Sequence, residues 1–198
     1  VKRANAIDVN SATSKLTPKS LGALNSNGYG EPRGLFETSD GGFVVAGRSN
    51  ATNLDYTNKG GYEGYIAKFD QHGNKQWIQG VGGSGFSDTL TDVTQLSDGS
   101  YIASGFSDSS DAGFPFKGGY QPDAIIVKFD SSGNILWIKN YGGSDLDELH
   151  SIKGTPDGGA IAVGRSVSTN AGYSSKGSED AIAIKIDANG NQQWIKNF

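Results

Sequence analysis

The stretch that decides the fold of this 198-residue chain is GGSDLDELHSIKGTPDGGAIAVGRSVSTNAGYSSKGSEDAIAIKIDANGNQQWIKN, residues 142–197. Its landmarks occur twice more upstream, at spacings of 57 to 60 residues. The first landmark is an Asp-Gly pair, which begins at Asp157, Asp98 and Asp40. The second is a Lys-x-Asp triplet, which begins at Lys185, Lys128 and Lys68, and the third is a tryptophan, at Trp194, Trp137 and Trp77. Self-similarity at such a period indicates a repeat architecture.

Each repeat predicts four β-strands. The first strand carries an apolar residue five places before the Asp-Gly pair, at Leu35, Val93 and Ile152. The second strands, 43–47, 101–105 and 160–164, and the third strands, 65–69, 125–129 and 182–186, are almost continuously apolar. Such runs are typical of strands covered on both faces. The fourth strand holds the tryptophan and alternates with polar residues, so one of its faces is expected to meet water.

Two recurring turns separate these strands. The Asp-Gly pair supplies the positive φ angle that suits a tight hairpin between the first and second strands. A second turn, Asp-x-x-Gly-Asn, follows each third strand, and its glycine can take a left-handed conformation. The second turns are residues 70–74, 130–134 and 187–191.

The composition supports an all-β chain and excludes several classes of site. It has 30 glycines, which many tight turns require, and no cysteine, so disulfides and thiolate sites are absent. A net charge of −4 with interspersed lysines and acids argues against a nucleic-acid partner. Apolar runs of about five residues are far shorter than the roughly 20 that span a bilayer, so no membrane span is expected in this segment.

One set of motifs resembles a known family. The motifs are Phe114-Pro115, Gly118-Gly119, DAIIVKFD at 123–130, Gly133-Asn134 and Tyr141-Gly142-Gly143. They are similar to the bacterial tandem β-propeller repeat, the SBBP-like repeat of secreted and surface proteins, over residues 31–198. The resemblance implies an all-β, propeller-type array of four-stranded blades and an extracellular or cell-surface location. It carries over no catalytic residue.

The predicted organisation is an irregular N-terminal segment followed by three repeats. The segment is 1–30, interpreted as outer strands of a partial blade, and the repeats are about 31–82, 83–142 and 143–198. Three copies are fewer than the four to eight blades of propellers. The chain is therefore a fragment, or chains combine, or residues 1–30 contribute a fourth, irregular blade.

Candidate binding residues lie in the long loops between second and third strands, because long loops on a rigid scaffold commonly carry function. Each loop places an aromatic residue three positions before a lysine, and the second loop adds Phe116. The pairs are Tyr56 and Lys59, Phe114 and Lys117, and Tyr173 and Lys176. Either the aromatic ring folds onto its own blade as a loop plug, or these groups form a ring suited to sugars. The repeated tryptophans are interpreted as packing between units, with sugar-stacking platforms as the alternative.

Acidic residues recur as well. Glu63, Asp123 and Asp180, together with Asp88 and Asp147, are expected to accept backbone N–H bonds or to pair with lysines. Asp88, Asp108, Asp111 and Asp147 are weak candidates for a Ca²⁺ site, since Ca²⁺ prefers oxygen ligands. No other cofactor is expected. No catalytic residue is assigned, because neither His72 nor His150 lies at a recognisable spacing from a serine and an acid.

These observations favour a non-catalytic extracellular binding or adhesion module that recognises carbohydrate through the long loops. The alternative is a scaffold or self-assembly protein, including a homo-oligomer, that uses blade edges and faces for protein–protein contacts. A further alternative is a glycan-cleaving enzyme that uses acids such as Asp147.

Overall fold

The computed structural model describes residues 28–52, 55–114, 121–173 and 178–198. Twelve β-strands, and no helix, occur in these ranges. The strands are β1 (Gly30–Glu37), β2 (Phe43–Ser49), β3 (Glu63–Phe69), β4 (Lys75–Val81), β5 (Thr89–Gln95), β6 (Tyr101–Ser107), β7 (Asp123–Phe129), β8 (Ile135–Asn140), β9 (Asp147–Gly154), β10 (Ala160–Ser166), β11 (Asp180–Ile186) and β12 (Gln192–Asn197). The described part of the chain thus offers no helix that could cross a membrane.

The strands form three four-stranded antiparallel sheets. The first sheet is β1-β2-β3-β4, the second β5-β6-β7-β8 and the third β9-β10-β11-β12, each in chain order. Four strands per repeat were predicted, and this prediction is confirmed. The interpretation of residues 1–30 falls almost entirely outside the described residues, which begin at Gly28.

The turns have the predicted chemistry. Gly41, Gly99 and Gly158 of the Asp-Gly pairs have φ angles of 79°, 84° and 78°. In the first Asp-x-x-Gly-Asn turn, the Asp70 carboxylate accepts the backbone N–H groups of His72 and Asn74, each at 2.8 Å. The same carboxylate pattern recurs at 130–134 and 187–191. Local hydrogen bonds therefore set every hairpin between third and fourth strands.

Successive sheets stack face to face. Strand β5 packs against β1, β2 and β3, and β9 packs against β5, β6 and β7. We call one face of each sheet its front face and define it by one row of four cross-strand partners. The rows are Leu35, Val45, Ala67 and Ile78 in the first sheet; Val93, Ala103, Val127 and Ile138 in the second; Ile152, Ala162, Ile184 and Ile195 in the third.

The front face of each later sheet packs on the back face of the sheet before it. One core cluster joins the second sheet's front row to Val44, Ala46 and Ile66 of the first sheet. A second cluster joins the third sheet's front row to residues of the second sheet such as Ile102 and Ile126. The three sheets do not close into a ring.

The back face of the third sheet is not covered in the same way. Strand β6 is buried at every position, as predicted for a strand covered on both faces. Strand β10 departs from that prediction, because Val163 is 44% exposed. The physical reason is that no described sheet follows the third one.

Each fourth-strand tryptophan of the first two sheets packs on the next sheet's Asp-x-x-Gly-Asn turn. A Cβ atom on Gly133 would lie 2.6 Å from Cε3 of Trp77, and one on Gly190 would lie 2.9 Å from Cη2 of Trp137. Glycine is required there because its bare Cα lets the indole approach. Packing between units was the prediction for all three tryptophans, but Trp194 is 39% exposed.

Lysines of the third strands hold the Asp-Gly turns. The Nζ–carboxylate distances are 2.9 Å for Lys68–Asp40, 3.6 Å for Lys128–Asp98 and 2.8 Å for Lys185–Asp157. Glu63, Asp123 and Asp180 were expected to accept backbone N–H groups or to pair with lysines, and Glu63 accepts the backbone N–H of Lys59 at 3.1 Å. The lysine side chains reach the Asp-Gly turn near their own end of the third strand, whereas Glu63, Asp123 and Asp180 lie at the opposite end of the same strands.

Candidate functional site

The aromatic residues predicted to bind a ligand point inward. Phe114 is 4% exposed in the cluster between the first and second sheets, and Tyr173 is 3% exposed in the cluster between the second and third. The Tyr173 hydroxyl donates to the carbonyl of Tyr141. Tyr56 packs against the first sheet's own cluster, and burial raises its pKa. These rings have the placement of loop plugs, with no free ring face on Phe114 or Tyr173.

The lysines of the same motif fall in two groups. Lys59 donates from Nζ to the Gly82 carbonyl at 3.3 Å and from its backbone N–H to Glu63 at 3.1 Å. Lys117 and Lys176, together with Phe116, lie outside the described residues. Of the three predicted lysines, the structure describes Lys59, which is bound at a link between sheets.

The buried aspartates organise the links between repeats. The Asp88 carboxylate accepts the Gly83 N–H at 3.0 Å and the Ser109 hydroxyl at 2.9 Å. The Asp147 carboxylate accepts the Gly143 N–H at 2.6 Å and the Ser168 hydroxyl at 2.9 Å, in the same arrangement. Burial raises the pKa of both carboxyl groups, in spite of these hydrogen bonds.

The two more exposed calcium candidates bind backbone as well. Asp108 accepts the Ser87 N–H at 2.9 Å, and Asp111 accepts the Ser84 N–H at 2.8 Å, which lowers the Asp111 pKa. Among the described residues, no group of three or more His, Asp or Glu side chains is arranged to hold a metal ion. The acids therefore have a visible role as acceptors for the links, and Ca²⁺ binding stays a prediction.

The same end of the stack presents an exposed aromatic cluster that the sequence did not reveal. Tyr29 is 55% exposed and Phe86 is 73% exposed, and each lies edge-to-face with Tyr62. The ring centroids are 6.3 Å apart for Tyr29–Tyr62 and 6.4 Å apart for Tyr62–Phe86. We call these three residues the aromatic patch. Contiguous exposed apolar groups of this kind mark interaction sites.

A charged group borders the patch. The Arg48 guanidinium lies 4.6 Å from the centroid of the Tyr62 ring, close enough for a cation–π contact. Arg48 also pairs with Glu31 at 2.9 Å, and Arg33 pairs with the other oxygen of Glu31 at 3.0 Å. Although burial opposes it, the two arginines lower the Glu31 pKa. The border thus holds one carboxylate and two guanidinium groups, all partly exposed.

Backbone contacts hold the patch in place. Tyr62 and Ser87 form a parallel bridge, in which the Tyr62 N–H donates to the Phe86 carbonyl at 2.8 Å. The Asn50 N–H donates to the Tyr29 carbonyl at 3.0 Å, and the Asn50 side chain accepts the Tyr29 N–H. The link after the first sheet is therefore tied to the start of β3, which brings residues distant in sequence together.

Among the described residues, such a patch occurs once. The residue that precedes the third strand is Tyr62 in the first sheet, Pro122 in the second and Glu179 in the third. The third sheet keeps the arginine–glutamate pair, with Arg165 Nε 2.8 Å from Glu148, but Arg165 then binds Glu179 instead of a ring. A comparison of the three repeats at this position was the signal that could have identified Tyr62.

No family model and no curated protein matches the chain. Among solved structures, one reported as the crystal structure of the eukaryotic initiation factor is similar, with 11% identical residues and a TM-score of 0.45. The match covers 85% of this chain and 32% of that one, so this chain spans about a third of its length. A likeness at this level does not bear on fold family or function.

Proposed function

We propose that this chain is a non-catalytic binding module, a β-propeller-type array of the bacterial tandem-repeat kind at the cell surface, that recognises carbohydrate through its aromatic patch. The observation that carries the proposal is the exposure of Tyr29 and Phe86 around Tyr62, beside Arg48 and Glu31. Tyr29, Tyr62 and Phe86 are not among the loop residues predicted from the sequence.

The chemistry of the patch suits a sugar. The C–H face of a pyranose packs on an aromatic ring, and tyrosine adds a hydroxyl that can bond to the ligand. Partly exposed guanidinium and carboxylate groups at the border can bond to pairs of vicinal hydroxyls. The propeller-type arrangement is supported by the three stacked sheets, whose first strands lie side by side. Lys153 Nζ is 5.8 Å from the Phe36 ring, so β9 also approaches β1.

A glycan array probed with the full chain tests the proposal, followed by calorimetric titration of the best oligosaccharide. Because aromatic anchors carry a large share of binding energy, Phe86→Ala and Tyr29→Ala are each expected to weaken binding by about tenfold or more. Leu136→Ala is the matched control, since Leu136 is 55% exposed on the second sheet, away from the patch. Its affinity should match that of the unmodified chain.

Two outcomes would contradict the proposal. One is an array without any binder, which would remove carbohydrate as the ligand class. The other is a glycan that binds the Phe86→Ala, Tyr29→Ala and Leu136→Ala variants equally well, which would place recognition elsewhere.

A further inference from the structure

The first strand of each sheet contains a β-bulge at the same place. In the first sheet, the pairing of β1 with β2 shifts between Pro32 and Gly34, and the unpaired residue is Arg33. The same irregularity leaves Thr91 unpaired in the second sheet and His150 in the third. Bulges commonly re-aim a side chain beside a functional site.

The three bulged residues have different surroundings. Thr91 is buried, and its hydroxyl lies within hydrogen-bond distance of a backbone carbonyl of β9. His150 Nε2 lies 3.6 Å from a carboxylate oxygen of Glu148. Arg33 Nη2 lies 3.0 Å from Glu31, and 31% of the Arg33 side chain is exposed. The bulge of the first sheet thus carries an exposed and permanently charged cation.

Two arginines share one carboxylate beside the aromatic patch. Glu31 binds Arg48 through one oxygen and Arg33 through the other. The equivalent group in the third sheet has the opposite ratio, because one arginine, Arg165, pairs with two glutamates. The border of the patch therefore has one positive charge in excess, whereas the third sheet has one negative charge in excess at the same position.

The two arginines differ in how fully the protein occupies them. Arg48 binds Glu31 through Nε at 3.0 Å and Nη2 at 2.9 Å, and its guanidinium carbon lies 4.6 Å from the Tyr62 ring centroid. Within the described ranges, Arg33 pairs with Glu31 through Nη2 alone. A guanidinium group has five N–H donors in one plane, so Arg33 keeps donors that can take a ligand carboxylate in two parallel bonds.

A series of contacts joins Arg33 to the patch. Arg33 touches Glu31, Glu31 touches Arg48, and Arg48 lies over the ring of Tyr62. An oligosaccharide that packs one ring on the patch can therefore place the next ring at Arg33.

The acids at the other side of the patch fix the direction of such a ligand. Asp108 and Asp111 lie in the loop after β6 and accept the N–H groups of Ser87 and Ser84, on either side of Phe86 in the sequence. A negatively charged group on the ligand is repelled by these carboxylates and attracted by the arginines of the first sheet. The field along the patch thus favours an anionic group at the Arg33 end.

We propose that the carbohydrate bound at the aromatic patch is an acidic one, of the uronic acid class, whose carboxylate pairs with Arg33 while a neighbouring sugar ring packs on the patch. The inference rests on the proposed function, since it specifies the ligand of the same site. It adds a residue that the patch itself does not contain.

Matched pairs of oligosaccharides test the inference. The full chain is titrated with oligomers of galacturonic, glucuronic and mannuronic acid, and with the same oligomers after reduction of their carboxyl groups to alcohols. The acidic member of the best pair is expected to bind about tenfold or more tightly than its reduced counterpart, because a hydrogen-bonded charge pair is lost on reduction. This advantage should shrink as the NaCl concentration is raised.

Arg33→Gln removes the cation and leaves the Glu31–Arg48 pair in place, so circular dichroism should show an unchanged fold. The variant is expected to bind the acidic oligosaccharide about tenfold more weakly, with a flatter dependence on salt. Arg165→Gln is the matched control, since Arg165 has the same kind of pair with a glutamate in the third sheet. Its affinity should match that of the unmodified chain.

The outcomes separate this inference from the proposed function. A reduced oligosaccharide that binds as tightly as the acidic one would overturn the inference and leave carbohydrate recognition intact. An unchanged affinity of Arg33→Gln would also overturn it, and so would a sulfated neutral oligosaccharide that binds more tightly than every uronic acid oligomer. If neither acidic nor neutral oligosaccharides bind, the proposed function itself fails.

Discussion

At the scale of single residues, equivalent positions in the three sheets carry different partners. Arg48 and Arg165 both bind a glutamate of the first strand, at 2.9 Å and 2.8 Å. Their further contacts differ, because Tyr62 offers a ring to Arg48 and Glu179 offers a carboxylate to Arg165. The residue at this one repeated position, Tyr62 or Glu179, therefore decides whether the arginine borders an exposed aromatic surface or forms a second ion pair.

The lysine–aspartate pairs give a prediction on pH. Hydrogen bonds from Lys185 and Thr155 hold the Asp157 pKa well below its usual value near 4. A depressed pKa in the folded state contributes stability above the unfolded value, and the contribution is lost as the pH falls through the folded value. We expect Asp157→Asn to lower the melting temperature at pH 7, with the difference from the unmodified chain shrinking between about pH 4 and pH 2.

The control for this measurement is Asp145→Asn, which removes an acid outside the three lysine pairs. Its melting temperature should follow that of the unmodified chain through the acid range. A difference between Asp157→Asn and the unmodified chain that stays constant from pH 7 to pH 2 would show that the Lys185 pair does not contribute through the charge of Asp157.

At the scale of elements, one turn sequence serves in two environments. Gly133 and Gly73 have φ angles of 87° and 75°, so both occupy a region that favours glycine. Only Gly133 has an indole against its Cα. The turn conformation is thus a local property, whereas the tryptophan contact depends on the neighbouring sheet.

Two alanine variants separate these contributions. Gly73→Ala is expected to cost about 1–2 kcal/mol from backbone strain alone. Gly133→Ala adds a clash with Trp77 and is expected to cost about 1–3 kcal/mol more, as overpacked sites do. Urea unfolding checks both values. Equal losses for the two variants would mean that the indole moves aside without cost.

At the scale of the whole molecule, coverage of the sheets decides which strands are most stable. The second sheet is covered on both faces, and β6 and β7 are buried at every position. Within the described residues, another sheet packs on the third sheet at its front face only, and β12 is largely exposed. Local opening free energies are lowest where few apolar contacts are made.

Hydrogen exchange of the chain should follow this gradient. Amides of β6 and β7 are expected to exchange slowest, and those of β10 and β12 are expected to exchange faster, because their sheet has one free face. Equal protection of all three sheets would indicate a single cooperative unit and contradict the gradient.

The sequence alone determined the three repeats, the four strands of each and the two kinds of turn. These features depend on short-range chemistry, in which a carboxylate such as Asp70 bonds to an N–H two or four residues away. The same local pattern occurs in every repeat, so it could be identified without knowing how the sheets stack.

Only the tertiary structure decided which surfaces remain open. In the folded chain, Phe114 and Tyr173 are buried in the core. Tyr29, Tyr62 and Phe86 come from three separate segments and form the aromatic patch. The tertiary structure also left Val163 and Trp194 of the third sheet partly exposed. The physical reason is that burial depends on the neighbouring sheet, and a repeated sequence has no local feature that distinguishes a covered face from an uncovered one.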